Sequence, residues 1–115
     1  MIRVSVVSYL NSKPFVAGLT QNSIINKIDL SLDIPSTCAE KLINGKTDIG
    51  LIPVAVLPLV KNAQVITPFC IASNGNVNSV LLLSQTPLNE IKQIWLDYQS
   101  RTSVMLAQLL AKAFW

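Results

Sequence analysis

Hydroxyl and amide side chains gather in this sequence where apolar runs give way to helix-like ones. "SYLNSKP", residues 8–14, sets Asn11 between an apolar dipeptide and a Lys-Pro pair. An amide there can point into a binding site, and it can equally cap a helix. "SRTS", residues 100–103, opens the most apolar helical run of the chain. A helix start offers unpaired N–H groups and partial positive charge, which suit a carboxylate or phosphate. Ser100, Thr102 and Ser103 would add hydroxyls and Arg101 a charge, although a plain serine cap followed by a solvated arginine reads the same way. Ser79 follows the polar turn "SNGNVN" and begins the apolar run "SVLLLS". Its hydroxyl could serve a ligand or only nearby backbone. Asp48 reads as a turn residue and Asp97 as the anchor of the loop before the last helix. Asp33, Glu40 and Glu90 read as surface or capping carboxylates, and no carboxylate pair stands at general acid–base spacing.

The absent residue types narrow the chemistry. The chain has no histidine, which removes Ser-His nucleophiles, imidazole proton shuttling and most zinc or haem sites from its own repertoire. Cys38 and Cys70 lie in apolar surroundings without CxxC spacing and are expected to be buried free thiols. Nine Lys and Arg against six Asp and Glu give a net charge of +3, but the basic residues are scattered and few aromatics stand between them. Nucleic-acid binding is therefore not expected, whereas a small anionic ligand is compatible. No apolar run reaches the roughly 18 residues of a membrane span. The first residues enter a strand pattern at once rather than a leader pattern, so a cytoplasmic location and no membrane partner are expected.

Half of the 115 residues are apolar and 13% are charged, enough apolar material for a core. Strand and helix patterns alternate to position the polar clusters. Residues 2–7 read as a strand with Ile2, Val4 and Val6 on one face, and residues 12–19 as a short helix with Pro14 in its first turn. Gly18 and the stretch Thr20-Gln21-Asn22-Ser23 would end it. Residues 28–34 form a second strand, and Pro35-Ser36-Thr37 opens a helix with Thr37 and Glu40 at capping-box spacing and Gly45 as its stop. "DIGLI", residues 48–52, makes a buried third strand, and Pro53 starts a short helix to Leu59. Residues 65–67, 70–73, 79–84 and 93–96 are strand-like, "QTPLNEIK" interrupts them, and residues 104–114 form the clearest helix, with Arg101, Gln108 and Lys112 as its polar stripe. The order predicts an α/β fold with a largely parallel sheet. In such sheets ligands lie beyond the carboxyl ends of strands, which is where "SYLNSKP", "LIPVAV" and "DYQSRTS" fall. Asn11, Ser79, Tyr9, Leu10, Pro53, Ser100, Arg101, Thr102 and Ser103 are the resulting candidate site residues.

Together "VSYLNSKPF", "PSTCAEKLINGKTDIGLIPVAVL", "SNGNVNSVLLLSQTPL" and "DYQSRTSVMLAQLLAKAFW" resemble, in order and along the whole chain, the chorismate dehydratase family of the futalosine route to menaquinone. The resemblance implies a type II periplasmic-binding-protein-like fold of two α/β lobes with a ligand cleft between them. On that pattern 1–85 is most of lobe one, 86–92 the crossover and 93–115 the start of lobe two. The family is more than twice as long, so the chain reads as a truncated piece, expected to lack turnover alone and to self-associate through its apolar last helix. The reaction implied removes water from chorismate to give 3-[(1-carboxyvinyl)oxy]benzoate. It needs no cofactor and no metal, because formation of the aromatic ring drives it and a substrate carboxylate can serve as base. Asn11 and Ser79 match the family's cleft-lining polar positions and are assigned to the leaving hydroxyl and the enolpyruvyl carboxylate. "SRTS" matches the carboxylate-binding helix start. Two alternatives stay open, the dihydroxynaphthoate synthase of the same pathway and a non-catalytic binding protein for a small carboxylate.

Overall fold

Alternating small β-branched residues make "IRVSVV" a strand able to be buried on both faces, and it becomes the centre of the sheet. The computed structural model describes residues 1–21 and 23–115. Strand β1 (Ile2–Val7) pairs in parallel with β2 (Ile28–Asp33) from Ile2 opposite Ile28 to Val7 opposite Asp33. On its other edge β1 pairs in parallel with β3 (Ile49–Gly50), so the order is β2-β1-β3. The described residues thus form a mixed α/β fold around a small parallel sheet, as the pattern predicted. Val4, Val6 and Ile28 make the core cluster, with Phe15, Val16 and Leu19 of α1 (Lys13–Thr20) packed against it. Ile2, expected on the same face, is 49% exposed at the strand's start.

The helix boundaries follow local chemistry, with three corrections. Pro14 lies in the first turn of α1 as expected, but Asn11 does not cap it: the chain enters through a 3-10 turn, Leu10–Ser12, and Ser12 is the N-cap residue without a side-chain cap bond. Gly18 does not stop the helix, which runs on to Thr20. Asn22, read as part of that stop, lies outside the described residues. Helix α2 (Pro35–Ile43) has Ile34 at its N-cap and no side-chain cap. Proline starts it before Thr37 can act as a cap, which removes the predicted capping box and leaves Glu40 free for another partner. At the other end Gly45 has φ of 66°. Its N–H donates to Leu42 and that of Lys46 to Lys41, at 3.2 and 2.8 Å, which is a Schellman closure. An added Cβ at Gly45 meets nothing within 4 Å, so Gly45→Ala should cost only the left-handed backbone penalty, about 1 kcal/mol. A urea midpoint unchanged by that substitution would contradict this closure.

β3 is shorter than "DIGLI" suggested, and Ile49 is partly exposed. Only flanking bonds from Asp48 N–H to Arg3 and from Leu51 N–H to Ser5 extend its pairing. Asp48 is a structural turn residue: its carboxylate accepts from Arg3 Nε at 3.1 Å and Nη2 at 2.6 Å. These bonds hold its pKa down to about 2. Pro53 precedes a 3-10 helix, Val54–Leu59, rather than an α-helix, since Pro58 lies within it.

None of the four strands expected after residue 60 forms. Residues 61–90 are exposed throughout and carry only a 3-10 turn, Leu88–Glu90. Strand propensity reflects fit to a neighbouring strand, and none of these runs pairs with the outer edge of β2 or β3. Helix α3 (Arg101–Ala113) begins three residues before the predicted Val104 and has no buried residue, although it rests on the 3-10 helix Val54–Leu59. Cys38, on α2, is fully buried, and burial raises its thiol pKa. Cys70 is exposed, contrary to expectation, because the run that contains it is unpaired. No helix among the described residues is long and apolar enough to cross a membrane.

Candidate functional site

The carboxyl end of β1 is held in place from below. Ser5, fully buried in mid-strand, donates its hydroxyl to Asp33 Oδ2 at 2.8 Å. Ser31 Oγ at 2.8 Å and Lys41 Nζ at 2.6 Å donate to the same oxygen. Asp33 was read as a surface or capping carboxylate, but it is the acceptor at the centre of a satisfied polar cluster that ties α2 to the sheet. Burial pushes its pKa up, yet the bonds from Lys41, Ser31 and Ser5 outweigh that and hold it below the ordinary carboxylate value. The Asp33 carbonyl then accepts from Ser8 N–H at 2.8 Å, extending the β1–β2 pairing by one bond past the strand end. Ser12 N–H donates to the Tyr9 carbonyl at 3.0 Å, closing the turn that presents Asn11.

Across from this turn α3 begins. Ser100 caps it in the ordinary way, its Oγ accepting from Ser103 N–H at 3.3 Å and donating to Ser103 Oγ at 2.8 Å. Asp97 fixes the preceding loop as expected, accepting from Gln99 N–H at 3.0 Å. Tyr9 and Gln99 join the two sides through a 2.9 Å bond from Tyr9 Oη to Gln99 Oε1. Between them lies a cleft of about 790 Å³, lined by Tyr9, Leu10 and Asn11, by Ser79 and Val80, and by Asp97, Ser100 and Ser103. That volume lies within the range of small-molecule sites, about 300–1,000 Å³.

Six sequence-predicted residues therefore share one cleft: Tyr9, Leu10, Asn11, Ser79, Ser100 and Ser103. Pro53, Arg101 and Thr102 do not line it. Arg101 turns away, its Nη2 bonded at 3.0 Å to Glu40 Oε1, with the two side chains 50% and 59% exposed. Asp97 was read only as a loop residue, and Gln99 was not singled out. Asp97 is the one carboxylate in the lining, and no Lys or Arg accompanies it. The spacing of Asp97 to the Ser100 cap was the available signal, since a residue that fixes a helix-start loop also borders the space in front of that helix. A smaller cavity of about 270 Å³, between residues 81–84 and 91–95, has no titratable lining residue. Among the described residues no group of three or more His, Cys, Asp or Glu is placed to hold a metal ion.

Chemically, the cleft offers an amide, three serine hydroxyls, a tethered phenol and one carboxylate around partly apolar walls. That set can orient a polar, oxygen-rich ring by hydrogen bonds. It has no nucleophile–base pair among the described residues. The profile of a protein family described as menaquinone biosynthesis matches residues 2–115. No curated protein and no solved structure matches the chain.

Proposed function

The chain belongs to the menaquinone-biosynthesis family, and from that premise we propose that its cleft binds chorismate and that the protein is a chorismate dehydratase yielding 3-[(1-carboxyvinyl)oxy]benzoate. The observation that carries this reading is the meeting of Asn11 and Ser79, far apart in sequence, in one cleft opposite the start of α3. The elimination takes the proton from C3 and the hydroxyl from C4. The C3–H electron pair becomes part of the aromatic ring, the C4–O bond breaks, and the hydroxyl leaves as water after gaining a proton. A carboxylate of the substrate accepts the C3 proton and passes it to the departing hydroxyl, so the protein's task is orientation and hydrogen bonding to the departing oxygen. Asn11 and Ser79 hold the hydroxyl and the enolpyruvyl carboxylate, while Ser100 and Ser103 at the α3 start hold the second carboxylate.

The same reading makes 1–85 most of one lobe of a type II periplasmic-binding-protein-like fold, 86–92 a crossover and 93–115 the start of the second lobe. The protein is then a cytoplasmic hydro-lyase of the futalosine route with a small-molecule partner. Titration of the ¹⁵N-labelled full-length protein with the stable reaction product tests the placement. Amide signals of Asn11, Ser79, Ser100 and Ser103 should move while that of Gly45 stays fixed. Movement confined to other parts of the chain would contradict the site.

A further inference from the structure

We propose that Glu40 parks Arg101 outside the cleft and releases it to a carboxylate of the incoming ligand, so that Glu40 sets the affinity for dianions. This rests on the reading of the cleft as a dicarboxylate site. The lining carries one formal charge, the carboxylate of Asp97, and no cation. A dianion therefore meets a cleft of the wrong sign unless a cation enters with it. Arg101 is the cation at hand, because it is the first residue of α3 and follows directly on Ser100, which lines the cleft.

Its present partner holds it loosely. The bond is a single one, Nη2 to Glu40 Oε1 at 3.0 Å, and its side chain makes no other among the described residues. Both side chains are about half exposed, and an ion pair so solvated shifts an equilibrium by only about two- to fivefold. A ligand carboxylate can take a bidentate, charge-assisted contact from the same guanidinium, with less water around it, and such contacts are the stronger kind. Exchange of Glu40 for the ligand thus trades a solvated single contact for a stronger one. Glu40 lies on α2, and it acts through Arg101 as a positioning residue.

The test is a double-mutant cycle read by calorimetric titration of the full-length protein with 3-[(1-carboxyvinyl)oxy]benzoate. Glu40→Gln should tighten binding about two- to fivefold, the solvated pair's whole worth, whereas Glu40→Asp restores the wild-type value. Arg101→Gln should weaken binding about tenfold or more. In the Arg101→Gln background, Glu40→Gln should have no effect. Unchanged or weaker binding by Glu40→Gln, or tightening that persists without Arg101, overturns the proposal. If the wild type converts chorismate and the cycle still fails, only this inference falls. If the wild type binds no dianion, the inference and the reading of the cleft fall together.

Discussion

On the proposed dehydratase reading, replacing Asn11 by Ala should lower turnover of chorismate by about a hundredfold or more, the usual loss when one positioned hydrogen-bond donor to a developing charge is removed. Stability should fall by no more than about 1 kcal/mol, the worth of one long hydrogen bond from the buried Ser12 hydroxyl. Asn11 is exposed, sits on a 3-10 turn and does not supply the cap of α1, so no helix depends on its amide. The hydrogen bond its side chain makes within the fold is a long one, accepted from Ser12 Oγ at 3.5 Å. Steady-state kinetics with a urea melt on the same full-length variant separates the outcomes. A large fall in stability with turnover retained would return Asn11 to the role of a cap.

Asp33→Ala should show the opposite signature. It leaves Lys41 Nζ and the hydroxyls of Ser5 and Ser31 without their shared acceptor. Breaking a buried pair from one side is strongly destabilising, but Lys41 keeps some solvent (the pair is 30% and 16% exposed), so about 2–3 kcal/mol is expected. The loss depends on pH in a fixed direction. The folded pKa of Asp33 lies below its usual value, so its stabilisation is complete above an unfolded pKa of about 3.9 and disappears as pH falls through the lowered value. The gap between wild type and Asp33→Ala in urea melts should thus be full at neutral pH and shrink in the acid range below about pH 4. A gap that stays constant into acid would mean that the carboxylate charge is not what binds the cluster.

The first half of the fold was legible because its signals are local. The run "IRVSVV", Pro14 and Pro35 at helix starts, and Gly45 at a left-handed position each act within a turn or two of themselves. The capping roles given to Asn11 and Thr37 failed because a proline two or three residues away fixed the helix start first. Runs such as 79–84 have strand composition, but whether they pair depends on an edge elsewhere that composition cannot reveal. At the site, polar residues at strand ends were visible as candidates, and six of them gather in one cleft. Arg101 with Glu40 and Tyr9 with Gln99 were not legible, since each pair is made only by tertiary placement of α3 against the sheet's end.

A mass-spectrometric assay of full-length protein incubated with chorismate deuterated at C3 tests the proposed dehydration. The expected product is 3-[(1-carboxyvinyl)oxy]benzoate, one water lighter than chorismate and free of the C3 deuterium, formed at a rate that collapses in Asn11→Ala. Chorismate bound but recovered intact, with its deuterium in place, would contradict it and leave a binding protein instead.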